Sequence, residues 1–177
     1  MTNPWEQKYW SGSGSTARMR KFHDCAEDDI ERYGRHVVCV GATEGSASAY
    51  PNDRFSYTIG NASKGFPELL VVGVCRQGWI LNPLSEIMIE RGYKFADGEL
   101  VELGGSKFPV CLVDAAESVK DDYTVQAGEH YSGDYAVMQV VMSDPCGLFP
   151  WQQKCAAPHS RIVVHRRTGA LVSEKRS

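Results

Sequence analysis

The sequence is short of the local motifs that announce chemistry. It has no Gly-rich phosphate loop, no G-x-S-x-G elbow and no H-E-x-x-H. The nucleotide, serine-hydrolase and zinc-protease sites readable from such patterns are therefore not expected. No run approaches the roughly 18 to 20 consecutive apolar residues of a membrane span. Charge of one sign is missing too. With 19 basic and 22 acidic residues the net charge is -3, which leaves no basic field to draw in nucleic acid. The opening "MTNPWEQKYW" lacks the charged-then-apolar order of a secretory signal. A cytoplasmic protein is the expectation.

Cysteine is present, but close pairs are not. Six cysteines (Cys25, Cys39, Cys75, Cys111, Cys146, Cys155) would suit three disulfides by parity. Four of them lie in or beside apolar segments, where a free thiol packs as a small hydrophobe, and a cytoplasmic setting keeps thiols reduced. Cys146, Cys155, His159 and His165 fall within twenty residues. They lack the C-x2-4-C spacing of structural zinc sites, so neither a metal nor a cofactor is expected.

What is there describes one α+β domain. At 177 residues, 42% hydrophobic and 23% charged, the chain can close a single core. Residues 1–15 carry Trp5, Tyr9 and Trp10 ahead of "SGSGS", a flexible aromatic arm able to join copies of the chain. Residues 16–166 form the domain and 167–177 a polar tail. Ser15 or Thr16 can cap a helix whose apolar stripe is Met19, Phe22, Ala26, Ile30 and Tyr33, with Gly34 as its stop. "HVVCVGA" reads as a strand and "TEGSASAYPND" as a loop. "FSYTI" and "ELLVVGV" flank the turn "NASKGFP"; the second is continuously apolar, as in a strand covered on both faces.

Asn82 and Pro83 look like an N-cap and first-turn pair, for a helix that Gly92 ends. A strand pair surrounds Gly104 and Gly105, and Asp121 or Asp122 caps a short helix reaching His130. "YAVMQVVMSD" is a central strand, and "RIVVHRR" (161–167) a last short one. So many adjacent strands predict a mainly antiparallel sheet with two or three helices on one side.

Five residues stand out as candidate ligand contacts. Tyr57 shares a strand face with Phe55 and Ile59. Glu68 follows Pro67 at a strand start, where facing water is the bland expectation and a base or ligand anchor the functional one. Gln139 lies in an apolar strand and must find partners or cost stability. Asp144 and Trp151 bracket the loop "DPCGLFPW", a lid on the sheet end or a pocket wall.

These stretches also carry a resemblance. "FSYTIG", "PELLVVGV", "LNPL", "FPVCLV" and "YAVMQVVMSDPCGLFPWQ" resemble the bacterial family of unknown function numbered four-two-six-two, from about Tyr33 to Trp151. The resemblance implies a small cytosolic protein of bacterial or phage type and no established reaction. A histidine before the proline-glutamate pair and a tryptophan-proline before the late aspartate belong to the family pattern. Phe66 and Met142-Ser143 stand there instead.

Together the residues predict a non-catalytic module that binds a small molecule, peptide or protein in one pocket formed by Tyr57, Glu68, Gln139, Asp144 and Trp151. The alternative is a small hydrolase or lyase using Glu68 or Asp144 as base.

Overall fold

The computed structural model of the protein describes residues 15–41, 54–73, 78–104 and 109–156. The arm, the loop after Gly41, Cys75, the turn at Gly105, "RIVVHRR" and the polar tail lie outside these residues, as does the side chain of Met19. The described residues fall into two compact units that divide between His36 and Val37.

In the first unit the stripe expected from helical spacing forms helix α1, Ser15–Tyr33. Ala26 on that stripe is buried, and Gly34 closes the helix with φ 77° and an N–H bond of 2.8 Å to Ile30 O. A positive φ costs glycine nothing, which is why the helix stops there. Tyr33 departs from expectation. It is 69% exposed, because the last residue of the helix has no following turn to pack beneath it.

The second unit is built on a sheet. Its elements are β1 (His36–Val40), β2 (Phe55–Ile59), β3 (Glu68–Val72), α2 (Gly78–Arg91), β4 (Glu99–Val101), β5 (Val110–Asp114), α3 (Ser118–Asp122), α4 (Val125–Tyr131) and β6 (Val137–Met142). The strand order is β1-β2-β3-β6-β5-β4. β6 is central, as its apolar run predicts.

The expectation of a mainly antiparallel sheet is corrected: the sheet is mixed. β2–β3, β5–β6 and β4–β5 are antiparallel, but β3 and β6 run parallel, with Glu68 opposite Val137 and Leu70 opposite Gln139. The chain leaves β3, makes α2, β4, β5, α3 and α4, and returns beside its own strand. A crossover of that kind delivers a parallel neighbour, and parallel strands buried on both faces read as unbroken apolar runs.

Helices cover both faces rather than one. Ile80, Leu81, Leu84 and Met88 of α2 pack in one core with Leu69, Val71, Leu112, Met138 and Val140. Tyr57 is in register with Leu70, so it points to the opposite face, where its hydroxyl donates to Gln126 Oε1 of α4. Two helix boundaries also differ. α2 begins at Gly78, about one turn before the expected cap, with Pro83 inside it. The chain from Ser118 to Tyr131 makes two short helices broken at Thr124, so Asp121 and Asp122 end the first instead of capping the second. The described residues hold four helices, α1 in the first unit and three in the unit that carries the sheet.

Candidate functional site

The turn between β2 and β3 is the expected turn chemistry made specific. Ala62–Lys64 form one 3-10 turn, and Gly65 closes it at φ 82°. Asn61 O accepts from Lys64 N at 2.9 Å and Phe66 N at 3.1 Å, a compact loop that carries the chain back to Glu68.

Glu68 does not face water. It is fully buried, which corrects the bland expectation for a strand-start glutamate. Its Oε1 accepts from Gly60 N (3.0 Å), Ala62 N (2.9 Å) and Tyr131 Oη (2.7 Å), and Oε2 accepts from Thr58 Oγ1 at 2.6 Å. Thr58 Oγ1 itself accepts from Leu69 N (2.9 Å) and Asn61 Nδ2 (3.2 Å). With both lone pairs used, its only proton points at the carboxylate. Asn61 Nδ2 also donates to Ser85 Oγ of α2 at 2.9 Å. One carboxylate therefore ties the α2 face, through Thr58, Asn61 and Ser85, to the α4 face through Tyr131.

Electrostatically this is a buried carboxyl held by dipoles. No Lys, Arg or His among the described residues forms an ion pair with Glu68. Burial pushes its carboxyl up from the ordinary value, while the donors from Thr58, Ala62, Tyr131 and Gly60 pull it down; burial wins. The same burial raises the hydroxyls of Tyr57 and Tyr131 far above the ordinary phenol value and pushes Tyr135 up to about 12. All three remain donors at neutral pH. Tyr135 Oη donates to Thr124 O at 3.0 Å and meets Thr124 Oγ1 at 2.7 Å.

Asp144 organises the other loop by the same device. It is buried, with Oδ1 accepting from Cys146 N and Leu148 N, each at 2.8 Å, and Oδ2 from Ala156 N at 2.7 Å. Its own N–H reaches Leu148 O at 2.8 Å. The loop so held places Phe149 in a cluster with Cys111, Val113 and Val141. Trp151 stacks on Phe149, with centroids 5.1 Å apart and planes 7° from parallel, and stays 40% exposed.

The five candidates thus divide into two places. Tyr57 and Gln139 lie in one row across the sheet, Tyr57–Leu70–Gln139–Val113, with Gln139 buried. Glu68 begins β3 beside Val137, the first residue of β6. Asp144 lies beyond the last, Met142. Seven residue steps from Val137 to Asp144, at about 3.3 Å each, put the two carboxylates roughly 23 Å apart along the strands. They do not share one pocket.

Sequence reading missed Thr58, Asn61, Ser85, Gln126 and Tyr131. The signal available was weak: "YTIGN" and "EHYSGDY" are polar and aromatic runs beside apolar strands, and nothing local says that they meet. Among the described residues no group of three His, Cys, Asp or Glu is placed to hold a metal; His159 and His165 lie outside them. Cys25, Cys39, Cys111, Cys146 and Cys155 are free thiols, and no helix among the described residues is long and apolar enough to cross a membrane.

Comparison with curated proteins and with solved structures found no match. A family model does match, over residues 29–156, a span that holds both loops, every strand of the sheet, and Glu68 with all four of its donors. The chain belongs to DUF4262, a domain of unknown function.

Proposed function

We propose that the protein is a non-catalytic binding module for a small molecule, a peptide or a partner protein, with Trp151 as its contact. The observation that carries this reading is how the two candidate bases are used. Asp144 spends both oxygens on main-chain N–H donors, and Glu68 spends Oε1 on Gly60 N, Ala62 N and the Tyr131 hydroxyl and Oε2 on the Thr58 hydroxyl, so every oxygen of the two candidate bases already has a donor. Trp151 is an exposed aromatic on a loop held from beneath, a form common at binding surfaces. The free thiols suit a cytoplasmic setting, and the arm carrying Trp5, Tyr9 and Trp10 is suited to joining copies of the chain.

One observation favours the enzyme reading. A buried carboxyl pushed up from its ordinary value moves toward what a general base needs at neutral pH. A thermal-shift screen of small molecules and peptides separates the two, run on wild type and Trp151→Ala. The binding reading expects compounds that raise the melting temperature of wild type and not of the variant. Stabilisation indifferent to Trp151 counts against it, and ester or lyase turnover abolished by Glu68→Gln establishes the alternative.

A further inference from the structure

Two of the thiols stand in one loop and meet one carboxylate. Asp144 Oδ1 accepts from Cys146 N at 2.8 Å, and Oδ2 accepts from Ala156 N, the amide that follows Cys155, at 2.7 Å. Two N–H groups that end on the same carboxylate lie within about 8 Å of each other. The main chain at Cys146 and the main chain at Cys155 are therefore neighbours, although eight residues separate them in sequence.

The two sulfurs have different settings. Cys146 is exposed, on the turn that Gly147 N closes against Asp144 O at 2.9 Å. Cys155 is half-buried and turns its sulfur inward. Its Sγ donates to Leu148 O at 3.5 Å, and Leu148 N ends on the same Asp144 Oδ1 as Cys146 N. The second sulfur thus points across the loop at the turn that carries the first.

We propose that Cys146 and Cys155 are a reactive pair that low-molecular-weight disulfides oxidise to a bridge across the 144–156 loop. The thiolate is the attacking form, and exposure makes Cys146 the first to react. It attacks one sulfur of the oxidant, forms a mixed disulfide and expels one small thiol. Cys155 then gives up its proton, attacks the Cys146 sulfur and expels the second small thiol. One S–S bond of the oxidant is broken and one of the protein is made; two protein thiols are oxidised as the oxidant is reduced to two thiols.

Closing the bridge needs Cα atoms about 4–7 Å apart. The segments that adjust, 145–146 and 151–154, are exposed, so the sheet beneath is not disturbed. The ring so formed encloses Phe149, Pro150 and Trp151, and holds covalently what Asp144 holds with hydrogen bonds. Where thiols are kept reduced, bridges of this kind are transient and catalytic or redox-sensing.

The test treats the reduced full chain with oxidised glutathione, quenches with acid and maps the peptides by mass spectrometry. The expected product joins the Cys146 peptide to the Cys155 peptide, lighter by two hydrogen atoms, with Cys111 unmodified. Cys155→Ser should form no bridge and accumulate glutathione on Cys146. Cys146→Ser should leave Cys155 with at least tenfold less glutathione than Cys146 takes in the first variant. In wild type the bridge should form several-fold faster from the folded chain than from the chain unfolded in urea. A lasting glutathione adduct on wild-type Cys146 with no bridge overturns the proposal. So does a bridge to any other cysteine in the folded chain, or one that forms no faster folded than unfolded.

Discussion

The hydroxyl of Tyr131 donates to Oε1 of Glu68 across 2.7 Å, although 63 residues separate them in the chain. The same oxygen of Tyr131 accepts from Gly60 N at 2.6 Å, so α4, the β2–β3 turn and the start of β3 meet at one phenol. Tyr131→Phe removes a donor to a buried carboxyl and should cost about 1–3 kcal/mol. If the loss comes through Glu68, the two residues are coupled. A cycle of Tyr131→Phe, Glu68→Gln and the double variant, followed by urea unfolding, should give an interaction energy of about 0.5 kcal/mol or more. Additive losses would place the cost of Tyr131 elsewhere.

Glu68→Gln keeps volume but reverses one bond. Oε1 of glutamine can still accept from Gly60, Ala62 and Tyr131. Its Nε2, however, faces Thr58 Oγ1, which already accepts from Leu69 N and Asn61 Nδ2 and so turns a proton toward it. Two donors then oppose each other at a buried site, and a loss of about 1–3 kcal/mol is expected.

The pH dependence has a definite sign. The folded carboxyl of Glu68 lies above its ordinary value of 4.5, so the folded state holds this proton more tightly than the unfolded chain. Stability from the protonated form is present below the ordinary value and is lost as pH rises through the folded one. Unfolding free energies of wild type minus Glu68→Gln, measured across that window, should fall with rising pH. A difference that rises instead would mean that the four donors outweigh burial.

The β2–turn–β3 hairpin was legible because its cause is local. Aromatic and β-branched residues, a glycine at positive φ and an apolar run lie within about twenty residues of one another. The burial of Glu68 was not legible, because the partner that takes its α4 side is Tyr131, and no pattern near Pro67 points there. The parallel β3–β6 pairing was half legible: "ELLVV" and "VMQVVM" announce strands covered on both faces, but direction is set by the crossover between them. The start of α2 slipped because Pro83 suits a first turn by its own chemistry, while the apolar Ile80 and Leu81, buried against the sheet, pull the helix back to Gly78. Asp144 was picked for chemistry and proves to hold a turn, since Asp-Pro in a loop signals a cap for main-chain N–H groups as readily as a base.

The thiols should differ in rate. Cys25, Cys39 and Cys146 are exposed, whereas Cys111 is buried in the cluster under Phe149. Brief alkylation of the native protein should label the first three and spare Cys111, and labelling in denaturant without reductant should reach all six. Fewer than six labels in denaturant would reveal a bridge. Early labelling of Cys111 would mean that the 144–156 loop opens readily, because Phe149 lies over that thiol.

Asp144 and Trp151 belong to one loop and should separate cleanly by mutation. Asp144→Ala frees three main-chain N–H groups, those of Cys146, Leu148 and Ala156, from part-buried bonds. Their loss should destabilise by about 2–4 kcal/mol, and it releases the segment that presses Phe149 onto Val141 and Val113. Asp144→Asn keeps one acceptor oxygen and should fall between the variant and wild type. Trp151→Ala removes a ring that is 40% exposed and rests on Phe149 alone among described ring contacts, so about 1 kcal/mol or less is expected. Chemical unfolding of the three variants orders them. If Trp151→Ala costs as much as Asp144→Ala, the tryptophan is part of the core and its role as a contact is withdrawn. If it costs little and abolishes the stabilisation by compounds found with wild type, the loop is a platform built by Asp144 and used through Trp151.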